Sequence, residues 1–177
     1  MSATRAQRMF ARFDAAEHSV CLRLNRGCGV PSIHRLFSIV SRLGDGVFWY
    51  TLLVLLPFLY GASGREAALE MAVAGVAGVM LYKALKNRLV RERPYVSLHG
   101  VSAGLAPLDR YSFPSGHTLH AVCFTTIAVA HFPGLAWGLV PFAALVAASR
   151  VVLGLHYPTD VAAGATLGFW LGTGAPA

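Results

Sequence analysis

Charged residues, and acidic residues above all, are scarce in this sequence. Of its 177 residues only 13% are charged and eight are Asp or Glu, whereas 55% are hydrophobic and the mean hydropathy is +0.56. So few charges do not cover the surface of an ordinary soluble protein. The composition excludes that class and indicates an integral membrane protein of one domain's length.

Cysteine is also scarce, and its positions form no metal-binding pattern. Cys21, Cys28 and Cys123 show neither a CxxC pair nor zinc-type spacing, so we interpret them as reduced packing residues. No continuous apolar segment precedes Val47, and the sequence therefore predicts no cleavable signal peptide. The later apolar segments are expected to direct membrane insertion.

Basic residues outnumber acidic ones, which gives the chain a formal net charge of +7. They lie at the ends of apolar segments and form no basic stripe or aromatic stacking platform of the kind that binds nucleic acid. We therefore expect the lipids of the membrane, with anionic head groups, or phosphate substrates as partners, and no nucleic acid.

The first 45 residues hold seven arginines among apolar residues, without an apolar run long enough to cross a bilayer. Between residues 32 and 43 the apolar positions recur at helical spacing and the arginines lie off that face. This pattern predicts an amphipathic helix in the membrane interface. We therefore divide the chain into a basic amphipathic N-terminal segment, residues 1–45, and a transmembrane domain, residues 46–177.

The rest of the chain predicts an all-α, multi-span transmembrane bundle with about five spans. Pro158 is placed to start the last helix, in which Gly164, Gly168 and Gly172 favour close packing on a neighbour. The loop of residues 93–113 is long enough to be functional. The five expected spans are residues 46–63, 67–85, 117–132, 135–152 and 161–173.

Two polar clusters border these spans and carry candidate phosphate ligands. Ser115, Gly116 and His117 open a helix, where free backbone N–H groups and the helix dipole bind anions. Lys86 and Arg93 are seven residues apart, so a helix that continued through both would place them on one face, toward the same anion. Together they neutralise a phosphoryl group without a metal, and we expect neither a metal site nor a cofactor.

A third cluster contains Arg150, His156 and Asp160. An Asp near a His fixes the tautomer of the imidazole and stabilises its cation, as a nucleophilic histidine requires. We interpret the other basic residues and histidines as structural. Lys83, Arg88 and Arg91 are expected to snorkel to lipid head groups, and His120 to make a polar core contact.

The motifs Lys86-x6-Arg93-Pro94, Pro114-Ser115-Gly116-His117 and Ser149-Arg150-x5-His156-x3-Asp160 resemble the three-part signature of the type 2 phosphatidic acid phosphatase (lipid phosphate phosphatase) superfamily. The resemblance covers residues 86–160, about half of the chain. Relatives usually have six spanning helices, one more than this sequence predicts.

This resemblance implies metal-independent phosphate ester hydrolysis through a phosphohistidine. His156 would attack phosphorus, Asp160 would orient it, and His117 would protonate the leaving oxygen and then activate water. The remaining signature groups would stabilise the transferring phosphoryl group; they are Lys86, Arg93, Arg150, Ser115 and the N–H of Gly116.

The substrates expected from the resemblance are phosphatidic acid, phosphatidylglycerol phosphate, and a polyprenyl phosphate or diphosphate. A lipid-linked phosphotransferase would use the same intermediate and stays an alternative. The apolar spans count against the related soluble vanadium haloperoxidases. A non-catalytic lipid-binding scaffold or transporter would not need His117, His156 and Asp160 together.

The expected location is the bacterial inner membrane, as a multi-pass protein. With five spans, 14 of the 15 Lys and Arg residues fall on the side of the three clusters, and only Arg65 falls on the other. The positive-inside rule then places the active site in the cytoplasm. The family resemblance implies the opposite face.

Overall fold

The computed structural model describes residues 5–174, and helices dominate this part of the chain, as predicted. A 3₁₀ turn, Arg26–Gly29, separates the first two helices, and a π turn, Leu43–Val47, leads into the third. A second 3₁₀ turn, Pro133–Leu135, follows α5. The helices are α1 (Arg5–Asn25), α2 (Pro31–Arg42), α3 (Phe48–Arg88), α4 (Pro94–Ser97), α5 (Gly116–His131), α6 (Ala136–Val152) and α7 (Pro158–Thr173).

Helix α3 consists of two arms that lie side by side. The backbone leaves the helical region at Gly61, where φ is 60° and ψ is −125°. A Cβ atom on Gly64 would lie 2.0 Å from the carbonyl oxygen of Leu56, although these residues would be about 12 Å apart in a straight helix. The chain therefore turns back at Gly61, near the end of the predicted span 46–63, and the predicted spans 46–63 and 67–85 form the two arms.

Helix α5 lies at the centre of the bundle and packs against α3, α6 and α7. Its contact with α7 depends on the predicted glycine stripe. A Cβ atom on Gly168 would lie 2.2 Å from the carbonyl oxygen of Leu119, and one on Gly164 would lie 2.5 Å from that of Ser115. Glycine is required at both positions because the two backbones touch. The expected close packing of α7 is thus confirmed.

The outer surface of the bundle is apolar, which suits contact with lipid tails. Among the residues that the structure describes, two helical stretches are long and apolar enough to cross a membrane, Pro31–Arg88 and Pro133–Val152. The count of five spans stays a prediction. Large exposed apolar side chains include Val54, Phe58, Leu69, Val73, Met80, Trp137, Phe169 and Trp170.

The N-terminal segment forms two helices rather than one. The predicted helix of residues 32–43 is present as α2, which packs against α6. Helix α1 was not anticipated; it contacts α6 and α7 and buries Phe10 and Cys21. The interfacial location of α2 and the domain boundary at residue 45 stay predictions.

Candidate active site

The three clusters meet at one cavity of about 430 Å³. One wall is charged and the remainder is mostly apolar, with side chains from both arms of α3 and from α5. The polar part of the lining contains Lys86, Arg93, Asp109, His117, Arg150 and His156. Residues from three distant parts of the sequence are therefore brought to one site, as the motifs predict.

His156 lies on the short turn between α6 and α7 and is 2% exposed. Gly154, with φ of 69°, allows the turn, and the backbone N–H of His156 donates to the carbonyl of Arg150 over 3.0 Å. Its Nε2 atom lies 3.2 Å from Nη1 of Arg93. Its Nδ1 atom lies 3.5 Å from Oδ2 of Asp160, longer than an ordinary hydrogen bond.

The pKa of His156 lies well below its usual value. Burial is the main cause, and the positive charges of Arg93, Arg150 and Lys86 add to it. The imidazole is therefore neutral near pH 7. With Nδ1 on the side of Asp160, Nε2 is the nitrogen whose lone pair faces the cationic cluster.

Asp160 is held in place by the first turn of α7. Oδ2 accepts the backbone N–H of Tyr157 over 2.9 Å, and Oδ1 accepts Nη1–H of Arg91 over 2.5 Å. The side chain is fully buried. These two hydrogen bonds fix the carboxylate beside His156.

Arg91 is a central contact of the site, and its interpretation as a snorkelling residue is wrong. Helix α3 ends at Arg88, and the chain then carries Arg91 inward, so that it is only 2% exposed. Besides Asp160 it binds two carboxylates of α1, Asp14 at 2.7 Å and Glu17 at 2.9 Å. Its guanidinium also stacks on the ring of Tyr157, 3.9 Å from the centroid.

A sequence signal for this contact existed. Asp14 and Glu17 are three residues apart, on one helical face, and are two of the three acidic residues in the arginine-rich segment 1–45. Glu17 also accepts the backbone N–H and the hydroxyl of Thr159, over 2.7 and 2.8 Å. Helix α1 is thereby attached to the start of α7.

His117 stands in the first turn of α5, where Ser115 is the N-cap and its side chain accepts the N–H of Thr118. Nε2 of His117 lies 3.3 Å from Oδ1 of Asp45, a residue that the sequence did not single out. Asp45 belongs to the π turn before α3, which requires Gly46 at φ of 127°. The proposed acid–base histidine thus has a carboxylate partner of its own.

Lys86 and Arg93 do hold one anion, but by a different geometry from the predicted helix face. Since α3 ends at Arg88, Arg93 lies on extended chain with φ of −81° and ψ of 153°. Both cations bind the carboxylate of Asp109, Lys86 at 2.7 Å and Arg93 at 2.7 Å. The anion is a side chain of the loop before α5.

Arg150 is 3% exposed and borders the same cavity. Nη1 donates to the hydroxyl of Ser41, whereas Nε has no hydrogen-bond partner among the described residues. In the described part of the chain no carboxylate lies within ion-pair distance of this guanidinium. A buried positive charge without a counterion is costly, so this position favours an anionic ligand.

His120 lies one turn after His117 and joins two helices. Its ring nitrogens lie 3.0 Å from the carbonyl of Gly116 and 3.1 Å from that of Gly75, so it links α5 to α3, as the interpretation as a polar core contact requires. His131 binds Glu70 at 3.0 Å, in the last turn of α5.

A family model described as the PAP2 superfamily matches residues 67–176, more than half of the chain. The chain belongs to the PAP2 superfamily. Six residues of the three motifs line the cavity, namely Lys86, Arg93, Gly116, His117, Arg150 and His156, whereas Ser115 and Asp160 lie behind its lining. The expected membership is therefore confirmed.

Several bacterial PAP2 phosphatases are similar in sequence. The chain is 31% identical to the undecaprenyl-diphosphatase BcrC of Bacillus subtilis over 63% of its own length and 58% of that protein's. It is 32% identical to phosphatidylglycerophosphatase B of Bacillus subtilis over 80% of its length and 72% of the relative. A third is the decaprenylphosphoryl-5-phosphoribose phosphatase of Mycobacterium tuberculosis, which is 33% identical over 75% of this chain and 73% of that relative. The match thus spans less than two thirds of BcrC.

Two PAP2 crystal structures share the fold. LpxE of Aquifex aeolicus superposes with a TM-score of 0.72 and 27% identity, over 85% of this chain and 90% of LpxE. The transmembrane phosphatidylglycerolphosphate phosphatase of Bacillus subtilis superposes with a TM-score of 0.68 and 27% identity, over 95% of this chain and 90% of that protein. The all-helical bundle is therefore that of PAP2 transmembrane phosphatases.

Proposed function

We propose that this PAP2 protein is an integral membrane phosphatase that hydrolyses a lipid phosphate or diphosphate through a phosphohistidine on His156. The observation that carries the proposal is the juxtaposition of a neutral, buried His156 with Arg150, a buried cation that has no carboxylate counterion among the residues that the structure describes. A phosphoryl group bound between them would supply the missing negative charge and present phosphorus to the nucleophile.

In the first step Nε2 of His156 attacks phosphorus and the bond to the leaving oxygen breaks. His117 gives its proton to that oxygen, and Asp160 stabilises the positive charge that develops on His156. In the second step His117 takes a proton from water, the water oxygen attacks phosphorus, and the phosphorus–nitrogen bond breaks. Inorganic phosphate leaves and His156 is regenerated.

The charge of the transition state is neutralised by protein groups. Lys86, Arg93 and Arg150 supply three cations, and the backbone N–H of Gly116 lies at the positive end of the α5 dipole. These groups perform the task that a metal ion performs in other phosphatases. We therefore propose a metal-independent reaction.

The apolar part of the cavity supports a lipid substrate. Besides the charged residues the lining contains Trp49, Met71, Val76, Val79 and Phe124, which suit an acyl or isoprenoid chain. The named relatives act on undecaprenyl diphosphate, phosphatidylglycerophosphate and a decaprenylphosphoryl phosphoribose. We propose phosphatidic acid, phosphatidylglycerol phosphate or a polyprenyl (di)phosphate as the substrate here.

Phosphate release by purified protein from a panel of these lipids, with EDTA present, tests the proposal. Wild type is expected to release phosphate from at least one lipid without an added acceptor, which separates hydrolysis from phosphotransfer. His156→Ala and His117→Ala are expected to lose about three orders of magnitude or more of activity, and exposed His99→Ala to lose little. Activity that disappears in EDTA and returns with magnesium would contradict the metal-free mechanism.

We also propose that the site faces the cytoplasm, in a bacterial inner membrane. The asymmetry of Lys and Arg supports this orientation, whereas the family resemblance supports the outer face. Alkaline phosphatase fused after α7 is expected to be active and green fluorescent protein fused there to be dark. The reverse pair of results would place the site outside.

A further inference from the structure

Asp109 binds both Lys86 and Arg93, which we call the cationic subsite, and it helps to occupy every hydrogen-bond donor of Lys86. The ammonium group donates to Oδ1 and Oδ2 of Asp109 over 2.7 and 2.8 Å and to the carbonyl of Tyr111 over 3.0 Å. These three acceptors account for all three N–H bonds of a lysine side chain. A phosphate oxygen therefore gains a hydrogen bond from Lys86 only if one of these contacts breaks.

Arg93 is engaged by the same residue, and it also covers the nucleophile. Nη2 donates to Oδ1 of Asp109 over 2.7 Å and Nε to its backbone carbonyl over 3.1 Å. Nη1 donates to the carbonyl of Leu155 over 2.6 Å and lies 3.2 Å from Nε2 of His156. In this arrangement the lone pair that would attack phosphorus faces a guanidinium N–H.

From these contacts we propose that Asp109 is an autoinhibitory residue, whose carboxylate competes with the phosphoryl group for Lys86 and Arg93 and must be displaced before substrate binds. The inference rests on the proposed function, since it assigns the same subsite to the substrate. Displacement of the Asp109 carboxylate would allow the guanidinium group of Arg93 to turn toward the phosphoryl oxygens. Nε2 of His156 would then be free to attack phosphorus.

The structure favours movement of Asp109 rather than of its partners. The side chain of Asp109 is 38% exposed, whereas those of Lys86 and Arg93 are 7% and 2% exposed. Within the described chain, residues 105–111 donate no backbone N–H to another backbone group, so side-chain contacts largely hold this part of the loop. A phosphomonoester dianion carries twice the charge of a carboxylate and also gains Arg150, which Asp109 does not reach.

The carboxylate has a second role when no substrate is bound. Lys86 and Arg93 are buried like charges, and an unpaired buried charge is strongly destabilising. Burial opposes ionisation of Asp109, but the hydrogen bonds and charges of Lys86 and Arg93 outweigh it and lower the pKa of the carboxyl group. The competitor is thus also the counterion of the free site.

The test compares Asp109→Asn and Asp109→Ser with wild type, in detergent. Removal of the competing charge is expected to lower the Kd of inorganic vanadate, measured by calorimetry, and the KM for the lipid phosphate by about tenfold each, without a loss of kcat. Asn keeps an acceptor for the two cations. If one of the two variants folds poorly, the other still provides the measurement. Glu92→Gln removes an acid whose one ion pair among the described residues is with exposed Arg110, so it is the matched control.

Unchanged vanadate affinity and KM in both variants would overturn the inference. A fall in kcat with an unchanged KM would also overturn it, because Asp109 would then position the cations for chemistry. Wild type that hydrolyses no lipid of the panel would contradict the proposed function instead, and the change in vanadate affinity would still decide the role of Asp109.

Discussion

Arg91 and Asp160 are joined by a hydrogen bond of 2.5 Å between Nη1 and Oδ1, and the same guanidinium binds Asp14 and Glu17 of α1. One buried side chain therefore connects the N-terminal segment to the carboxylate next to the proposed nucleophile. It makes this segment a structural part of the active site, although the PAP2 match begins only at residue 67.

Arg91→Lys is expected to lower stability and kcat together. A lysine has one ammonium group in place of a planar fork and does not reach all three carboxylates at once. Leaving a buried charge unpaired costs about 3–5 kcal/mol, so the melting temperature in detergent should fall markedly. The matched control is Arg88→Lys, on an exposed side chain, which should change neither quantity. An unaltered melting temperature in Arg91→Lys would contradict this assignment.

Asp45→Asn is expected to weaken general acid catalysis by His117, because the carboxylate 3.3 Å from Nε2 favours the protonated ring. With alkyl phosphates kcat should fall about tenfold or more, since general acid catalysis contributes about 10²–10⁴ in rate. With p-nitrophenyl phosphate, whose leaving group needs no proton, the loss should be much smaller. Glu66→Gln, an exposed acid next to the turn between the arms of α3, is the control. Equal losses with both substrates would exclude this role.

Gly168→Ala is expected to destabilise the bundle, because its Cβ atom would lie 2.2 Å from the carbonyl oxygen of Leu119. Gly138 on α6 has open space around the same position, so Gly138→Ala should stabilise the helix by up to about 1 kcal/mol. Melting temperatures that move in opposite directions would confirm the backbone contact between α5 and α7. A tolerated alanine at Gly168 would contradict it.

The sequence predicted those features that depend on local pattern. The lengths of the apolar runs predicted the long helices, and the glycine spacing predicted close packing of α7. The three motifs predicted which residues meet around the cavity. The carboxylates of Asp45 and Asp109 were not predicted, because each comes from a loop whose path is set by tertiary contacts. Arg91 was misinterpreted for the same reason, since its direction depends on where α3 ends.

Scarcity of acidic residues was nevertheless a usable signal. The sequence has eight Asp and Glu residues, and five of them bind basic residues of this site. In an apolar protein, an acidic side chain is favoured where it neutralises a buried cation. Those five are Asp14, Glu17, Asp45, Asp109 and Asp160.

The depressed pKa of His156 predicts a pH dependence of stability. The unfolded histidine, with a pKa near 6.5, binds a proton that the buried native ring does not bind. Stability should therefore fall as pH drops below about 6.5, by up to about 1.4 kcal/mol per pH unit from this group alone. Between pH 7.5 and 5.5 the melting temperature of wild type should drop further than that of His156→Asn. Parallel curves would show that the native and unfolded His156 bind protons alike, so that its pKa is not lowered by folding.

The most direct test of the proposed reaction is a search for phosphohistidine at His156. Rapid quench of His117→Ala with p-nitrophenyl [³²P]phosphate should trap the intermediate, because phosphorylation no longer needs an acid while hydrolysis still needs a base. The label should be acid-labile and should map to His156 by mass spectrometry. It should be absent from the double variant that carries both His117→Ala and His156→Ala. Release of p-nitrophenol by His117→Ala without labelled protein, or a label that persists when His156 is also replaced by Ala, would contradict His156 as the nucleophile.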